Sequence, residues 1–326
     1  MKILVTGGAG YIGSHVVLEL IDAGYEVVVL DDLSSGSAEN VDSRVNFIKG
    51  STHETDLLQK VLSDGVEAVI HLAAFKAAGE SMLKPEKYAR NNINGTLNLL
   101  GTMFDSGVDR FVFSSTAAVY GDPQYLPMDE EHPLKPANYY GFTKLIIEEC
   151  LQWYGQLKGL RFAALRYFNA AGYDSEGRIR GLEKNPANLL PVVMETAAGV
   201  RREMEVFGDD YKTADGTGVR DYIHVTDLAA AHVHALEHLD ENSSLTVNLA
   251  TGESFSVLDV INKAKNITGE AIAYRVVDRR PGDPDELIAT SKRAADLLGW
   301  KPNHSNLETI LETMWGVYKP EEKLFS

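Results

Sequence analysis

The first thirteen residues constrain this chain more than any other stretch. Lys2-Ile3-Leu4-Val5-Thr6 is a short apolar run rich in β-formers, which predicts a buried parallel strand. Gly7, Gly10 and Gly13 follow as G-x-x-G-x-x-G, and Tyr11 to Ala23 carries a helical pattern. A strand, a glycine turn and a helix N-terminus together form a pocket for a pyrophosphate. The glycines let the backbone come close, and the first helical N–H groups point positive charge at the phosphates. Gly7, Gly10, Tyr11, Ile12 and Gly13 are therefore candidate dinucleotide contacts.

A second buried strand, Glu26 to Leu30, ends in Asp31-Asp32. An acid at that strand tip accepts hydrogen bonds from the adenosine ribose hydroxyls and repels a 2′-phosphate, so Asp31, with Asp32 beside it, favours NAD over NADP. Further βα units follow: strand Val45–Lys49, helix Glu54–Leu62, strand Glu67–His71, helix Asn91–Asp105, strand Arg110–Phe113, a helix from about Tyr139 to Tyr154, and strand Arg161–Leu165. The small residues of Leu72-Ala73-Ala74 suit a backbone passing close over a flat cofactor. This alternation predicts an α/β fold, a Rossmann-type doubly wound parallel sheet with right-handed crossovers.

Beyond Tyr167 the texture changes. Ala170–Pro186 reads as a long loop, and helical pieces then alternate with short strands at Met204–Val206, Leu245–Leu249 and Ile272–Val276. The expected division is a dinucleotide-binding domain over residues 1–167 and a smaller C-terminal α/β substrate lobe over 168–326. The Arg220–Val225 segment is a candidate to return to the main sheet.

A net charge of −16 over 326 residues argues against a nucleic-acid binder and against adhesion to anionic membranes. No stretch approaches the length of a membrane span, and the N-terminus enters strand and turn at once, so no signal peptide is expected. The single Cys150 excludes an internal disulfide and fits a reducing compartment, with the cytoplasm as the expectation. His224, His232, His234 and His238 lack an accompanying Cys or acid set, and no metal is expected there.

The sharpest chemical signal after the turn is Tyr140-Gly141-Phe142-Thr143-Lys144. Residues four apart share a helix face, so the Tyr140 phenol and the Lys144 ammonium fall side by side. A neighbouring cation, together with the positive nicotinamide ring of NAD+, favours phenolate and makes Tyr140 a usable base near neutral pH. Thr116, at the end of Ser114-Ser115-Thr116, supplies a hydroxyl to hold a substrate oxygen.

Gly7–Gly13, Asp31, Thr116 and Tyr140…Lys144 together resemble the extended short-chain dehydrogenase/reductase family. The similarity extends to its sugar-nucleotide 4-epimerases through His71–Ser81, Asn91–Thr96, Leu165–Asn169 and D-G-T-G-V-R-D-Y-I-H-V at Asp215–Val225. The resemblance implies a tightly held NAD and a UDP-hexose substrate, with UDP-galactose and UDP-glucose interconverted at C4 through a transient 4-keto sugar. It implies cofactor contacts at Lys76, Asn91 and Phe168. It implies substrate contacts at Lys76, Thr116, Tyr140, Asn169, Asn188, Arg220, Arg280 and Leu287, and a homodimer through Asn91–Asp105 and Tyr139–Tyr154. Arg220 and Arg280 also make independent sense, since guanidinium forks pair with a diphosphate.

Three departures from the family pattern stand out. Thr116 replaces the usual Ser and keeps the hydroxyl. Gly50-Ser51-Thr52 replaces Gly-Asp-Ile, so the adenine contact implied by the resemblance is weakened or rebuilt through Ser51, with Thr52 a further cofactor candidate. Leu287 is intermediate in size where side-chain bulk is thought to gate N-acetylated sugars, leaving N-acetylhexosamine and uronate epimerases as alternatives. A dehydratase would carry Asp and Glu where this chain has Ala117 and Ala118. A non-catalytic redox sensor typically loses the Tyr or the Lys, and both are present. A net dehydrogenase would reduce added NAD+ stoichiometrically.

Overall fold

The computed structural model describes residues 1–183, 186–241, 244–280 and 282–320. Its centre is a seven-stranded, wholly parallel sheet. The strands are Lys2–Thr6, Glu26–Asp31, Asn46–Lys49, Ala68–His71, Arg110–Thr116, Arg161–Tyr167 and Leu245–Leu249. Numbered along the chain, they lie side by side in the order third, second, first, fourth, fifth, sixth, seventh. The order reverses between the first and fourth strands, which opens a crevice at their C-terminal ends. This is a Rossmann-type α/β fold.

Both faces of the sheet are covered, which is why its strands read as near-continuous apolar runs. Ile3, Val5, Val27, Val29 and Val112 pack one face against Val16, Val17 and Leu20 of the Tyr11–Asp22 helix and Leu228, Leu236 and Leu239 of the Val225–Glu241 helix. The alternate positions Leu4, Val28, Leu30, Phe111 and Phe113 pack the other face against Leu58, Leu62, Leu99, Leu100, Ile147 and Leu151. In register, Ile3 lies beside Val27 and Ala68, and Val5 beside Val29 and Ile70. Burying each such side chain contributes roughly 1.5–3 kcal/mol.

Two expectations about the C-terminal half are corrected. Leu245–Leu249 belongs to the main sheet rather than the lobe, pairing with Arg161–Tyr167 in the register Val247 to Leu165. Its Val247 and Leu249 are fully buried, so a partner strand is where they find cover. The Arg220–Val225 segment stays out of that sheet. Val219–Arg220 joins Phe255–Ser256 and Glu286–Leu287, while Tyr222–His224 pairs with Asn169–Ala171. The helix expected over Asn91–Asp105 is also interrupted: Ala89–Asn94 is one π turn and Gly95–Asp105 is α-helical. Such turns recur at functional positions because they re-aim side chains.

The lobe has its own core, in which Leu190, Val193, Met204, Val206, Val260, Ile261, Ile310 and Met314 are buried together. Its helices are sharply bounded. Ser256 caps Val257–Thr268 in a reciprocal capping box with Asp259, and Asn306 caps Leu307–Tyr318. Residues 184–185 of the expected Ala170–Pro186 loop lie outside the described residues.

Candidate functional site

The glycine turn lies at the crevice between the first and fourth strands. Gly7 has φ +78, and a Cβ there would stand 2.6 Å from the Ala73 nitrogen. Only glycine lets the Leu72–Ala73 backbone pass this close. A Cβ at Gly13 would stand 2.1 Å from the Gly7 carbonyl oxygen, so the turn closes directly onto its helix. Gly10 begins that helix with no side-chain cap and no acid in the first turn. The first helical N–H groups are thus left with no side-chain cap and no acid in their own turn, which suits an anion.

Asp31 ends the second strand and is buried. Its carboxylate accepts the Ala9 N–H at 3.0 Å and the Leu33 N–H at 2.8 Å, so it also braces the glycine turn. Burial pushes its pKa up, and those two N–H bonds oppose the shift. Asp32 is exposed and accepts the Ser34 N–H at 2.8 Å. At the third strand's end, the Ser51 N–H donates to Glu54 Oε1 at 2.8 Å, which puts a carboxylate beside the missing family Asp. Thr52 is buried under Gly95. An uncapped helix start, a glycine cradle and an acid at the second strand tip fit the adenosine diphosphate half of NAD. Tyr11 turns its hydroxyl to the Gly172 carbonyl at 2.5 Å, and Ile12 packs against the sheet core.

Asn138 caps the helix Tyr139–Lys158 by accepting the Gly141 N–H at 2.9 Å, which fixes Tyr140 in the first turn. A Cβ at Gly141 would stand 2.4 Å from the Ala118 carbonyl oxygen, so glycine is what lets this helix press onto the end of the fifth strand. Tyr140 lies on the side of Thr116, whose Oγ1 accepts the Ala118 N–H at 3.1 Å, and Lys144 Nζ donates to the Ser114 carbonyl at 2.7 Å while lying 4.7 Å over the Phe113 ring. The phenol and the ammonium straddle the last three residues of one strand.

Their protonation is not what helix spacing alone suggests. Burial pushes the Tyr140 phenol up to about 12, opposed by the Thr116 hydroxyl. Burial pushes Lys144 down to about 7, opposed by the Glu148 carboxylate. In the protein by itself Tyr140 is a phenol at neutral pH, because desolvation outweighs the Thr116 hydroxyl.

Sequence reasoning missed the supports. His71 Nδ1 lies 2.6 Å from Thr6 Oγ1, and His71 Nε2 lies 2.8 Å from Thr96 Oγ1, whose own proton goes to the Asn92 carbonyl at 2.6 Å. Nε2 must therefore donate and Nδ1 accept, a neutral ring in one tautomer. Burial, assisted by the Lys144 charge, pushes His71 down to about 3. Asn92 holds both the Phe75 N–H and the Phe75 carbonyl at 3.0 Å, and its amide also reaches Thr143 at 3.2 Å. It thereby ties the 72–76 loop to the Tyr140 helix. Nothing in a run of asparagines announces that role. Asn91, its neighbour on the π turn, donates to Asn92 at 3.3 Å.

The remaining expected contacts are spread between the loop after the fourth strand and the C-terminal half. Phe168 and Leu287 pack with Ala117 and the buried Tyr120, Met128 and Ala250, which brings the fifth strand's end against the lobe. Ala74 is half-buried in the loop that follows the fourth strand. Asn169 donates to the Asp221 carbonyl at 2.8 Å. Arg220 donates to the Val219 carbonyl at 2.8 Å and lies 3.9 Å from Asp283. Arg280 is exposed, its guanidinium 3.8 Å over the Phe207 ring. Asn188 is exposed at the start of helix Leu189–Ala197 and makes no side-chain cap. Lys76 is exposed and pairs with Glu183. Among the histidines, His224 Nε2 lies 3.0 Å from Thr313 Oγ1, while His232 and His234 contact the carbonyls of Leu228 and Leu298.

This fold, with a dinucleotide turn at one end and a Tyr–Lys pair at the other, defines a class. The chain belongs to the NAD dependent epimerase/dehydratase family, whose model matches residues 3–250. Within it, the chain is 45% identical over 318 residues to the UDP-glucose 4-epimerase of Lacticaseibacillus casei, covering 97% of this chain and 96% of that one. It superposes with TM-score 0.93 and 43% identity on the UDP-glucose 4-epimerase from Brucella ovis in complex with NAD, covering 96% of each. The Bifidobacterium longum UDP-glucose 4-epimerase in complex with NAD+ and UDP gives TM-score 0.91 at 37% identity, covering 97% of this chain and 98% of that one.

Proposed function

We infer that this chain is an NAD-dependent isomerase that interconverts UDP-galactose and UDP-glucose by epimerisation at C4 through a transient 4-keto sugar. The observation that carries the reading is the Asn138-capped helix that sets Tyr140 and Lys144 against the fifth strand's end, where Lys144 donates to the Ser114 carbonyl and Ala117 packs with the Phe168–Leu287 cluster. NAD, held at the Gly7–Gly13 turn and Asp31, would supply a reversible hydride acceptor for C4.

In this reading Tyr140 accepts the proton of the 4-hydroxyl and returns it, Thr116 orients that oxygen, and Lys144 stabilises the phenolate. Arg220 and Arg280 hold the diphosphate, Asn169 and Asn188 orient the nucleotide sugar, and Asp31 holds the adenosine ribose. Lys76, once it leaves Glu183, is available to the cofactor and the sugar. Ala117 and Ala118 bring no acid to the departing side of the sugar, which supports epimerisation over elimination. Leu287, half-buried beside Phe168, sets the room beside the hexose. The test is NMR of UDP-galactose incubated with the purified protein and NAD. UDP-glucose should accumulate to equilibrium; its absence would falsify the reading.

We further read the chain as a cytoplasmic homodimer. Support comes from exposed Phe142, Trp153 and Leu157 along the Tyr139–Lys158 helix, and from the single cysteine. Among the described residues, no helix is long and apolar enough to cross a membrane. Sedimentation equilibrium should give twice the chain mass, and Trp153→Glu should shift it toward the monomer.

A further inference from the structure

One buried cluster beneath the Tyr–Lys pair is left over by this account. Glu148 follows Lys144 by four residues, continuing the stripe Tyr140, Lys144, Glu148 along one helix face. Its carboxylate is buried and takes Arg166 in a forked pair, with Nε at 3.0 Å from Oε1 and one terminal nitrogen at 2.5 Å from Oε2. The Ser115 hydroxyl also donates to Glu148 Oε1. Arg166 in turn donates to the Tyr120 hydroxyl at 3.1 Å, and Tyr120 donates to Asn248 at 2.5 Å.

We propose that Glu148 is a positioning residue for the reaction: its locked, buried carboxylate keeps the Lys144 ammonium charged against burial and, through Ser115, fixes the strand end that carries Ser114 and Thr116. The inference rests on the reading of Tyr140 as the base. Lys144 has no carboxylate of its own, since its nitrogen donates to the neutral Ser114 carbonyl. Its other ionisable neighbours are of no help in holding the charge. His71 on the fourth strand is neutral, Tyr140 and Tyr167 are phenols, and Arg166 on the sixth strand is a cation. Tyr120 is likewise a buried phenol, and Glu130, beyond it, is held by the Asn248 N–H and lies 3.7 Å from Arg293. Burial moves Lys144 into the neutral range, and Glu148 is the opposing influence. Charge on Lys144 then favours charge on Tyr140.

A guanidinium does not release its proton, so neutralising Glu148 makes Lys144 the group that gives way. In Glu148→Gln the Lys144 titration midpoint, followed by its 13Cε shift in the protein alone, should fall by about one pH unit. In Arg166→Met it should rise. The double variant, which removes both charges, should return to within about 0.3 unit of the wild type. In the NAD-loaded enzyme, Glu148→Gln should move the acid limb of kcat to higher pH, with KM for UDP-galactose within about twofold. A role confined to packing predicts equal loss at every pH and an unmoved Lys144 midpoint, and that result overturns the proposal. Should Glu148→Gln fail to fold, Glu148→Asp decides, because it withdraws the charge without deleting it. A lowered midpoint supports the proposal and an unmoved one overturns it. The Lys144 titration does not depend on turnover, so an inactive wild type would overturn the functional reading while leaving this measurement to stand.

Discussion

Tyr140 and Arg280, the proposed base and a proposed diphosphate contact, are held in opposite ways. Around Tyr140 the helix start, the strand end and the 72–76 loop are locked by buried hydrogen bonds of Asn138, Asn92, His71 and Lys144. Arg280, by contrast, lies exposed on one aromatic ring, and Arg220 reaches backbone carbonyls from a two-residue strand. The lobe's own core is well packed, so the contrast is confined to the side chains facing the ligand. In the proposed reading the chemistry is preorganised, whereas the proposed sugar-nucleotide contacts are left free to adjust. An epimerase must present both faces of one hexose to a fixed acceptor, and that division suits it.

The contrast breaks most visibly at Tyr140. Tyr140→Phe should lower kcat by about 10²–10⁴-fold while UDP affinity, by calorimetry, stays within a few-fold. Arg280→Ala should act the other way, raising KM for UDP-galactose about 10- to 100-fold with little change in kcat. A fall in kcat alone for that variant would erase the distinction between the two residues.

Acid should loosen the rigid part next. Burial holds His15, His71, His224 and His232 well below their ordinary values, at about 4, 3, 4 and 4. The unfolded chain therefore binds more protons than the native one below about pH 6.5, and stability should fall as pH drops from there toward 4. Asp221 runs against this, because burial raises it to about 6 and the native state gains protons there. The histidines outweigh it, so thermal midpoints should decline steadily between pH 6.5 and 4. A flat profile would contradict the buried, neutral assignment.

The smallest effect concerns the cofactor turn. Asp31→Ala should cost about 1–2 kcal/mol in urea denaturation by freeing the Ala9 and Leu33 N–H groups. It should also narrow the preference for NAD over NADP. Unchanged discrimination would move that role to Asp32.

Much of this was legible in sequence wherever a local spacing carries a physical meaning. The glycine turn, the acid at Asp31 and the Tyr140…Lys144 pair each lie within one or two adjoining elements, and the βα alternation dictates a parallel sheet. The pairing of Leu245–Leu249 with Arg161–Tyr167 was not legible, because the choice of a distant partner strand leaves no local trace. The same holds for Asn92 and for Arg166, whose partners lie 51 and 18 residues away. Glu148 is intermediate: its spacing from Lys144 is visible in sequence, but its burial is not. The upward push on the Tyr140 phenol in the protein by itself is hidden from spacing for the same reason, since desolvation is a property of the packed interior.

The central claim is that a hydride leaves C4 and returns to C4 of the same sugar while Tyr140 carries the proton. UDP-galactose deuterated at C4 tests this directly, with the product followed by mass spectrometry and NMR in ordinary water. Hydride return within one turnover gives UDP-glucose that keeps its deuterium at C4. UDP-glucose that has lost the label to solvent, or no UDP-glucose at all, would contradict it.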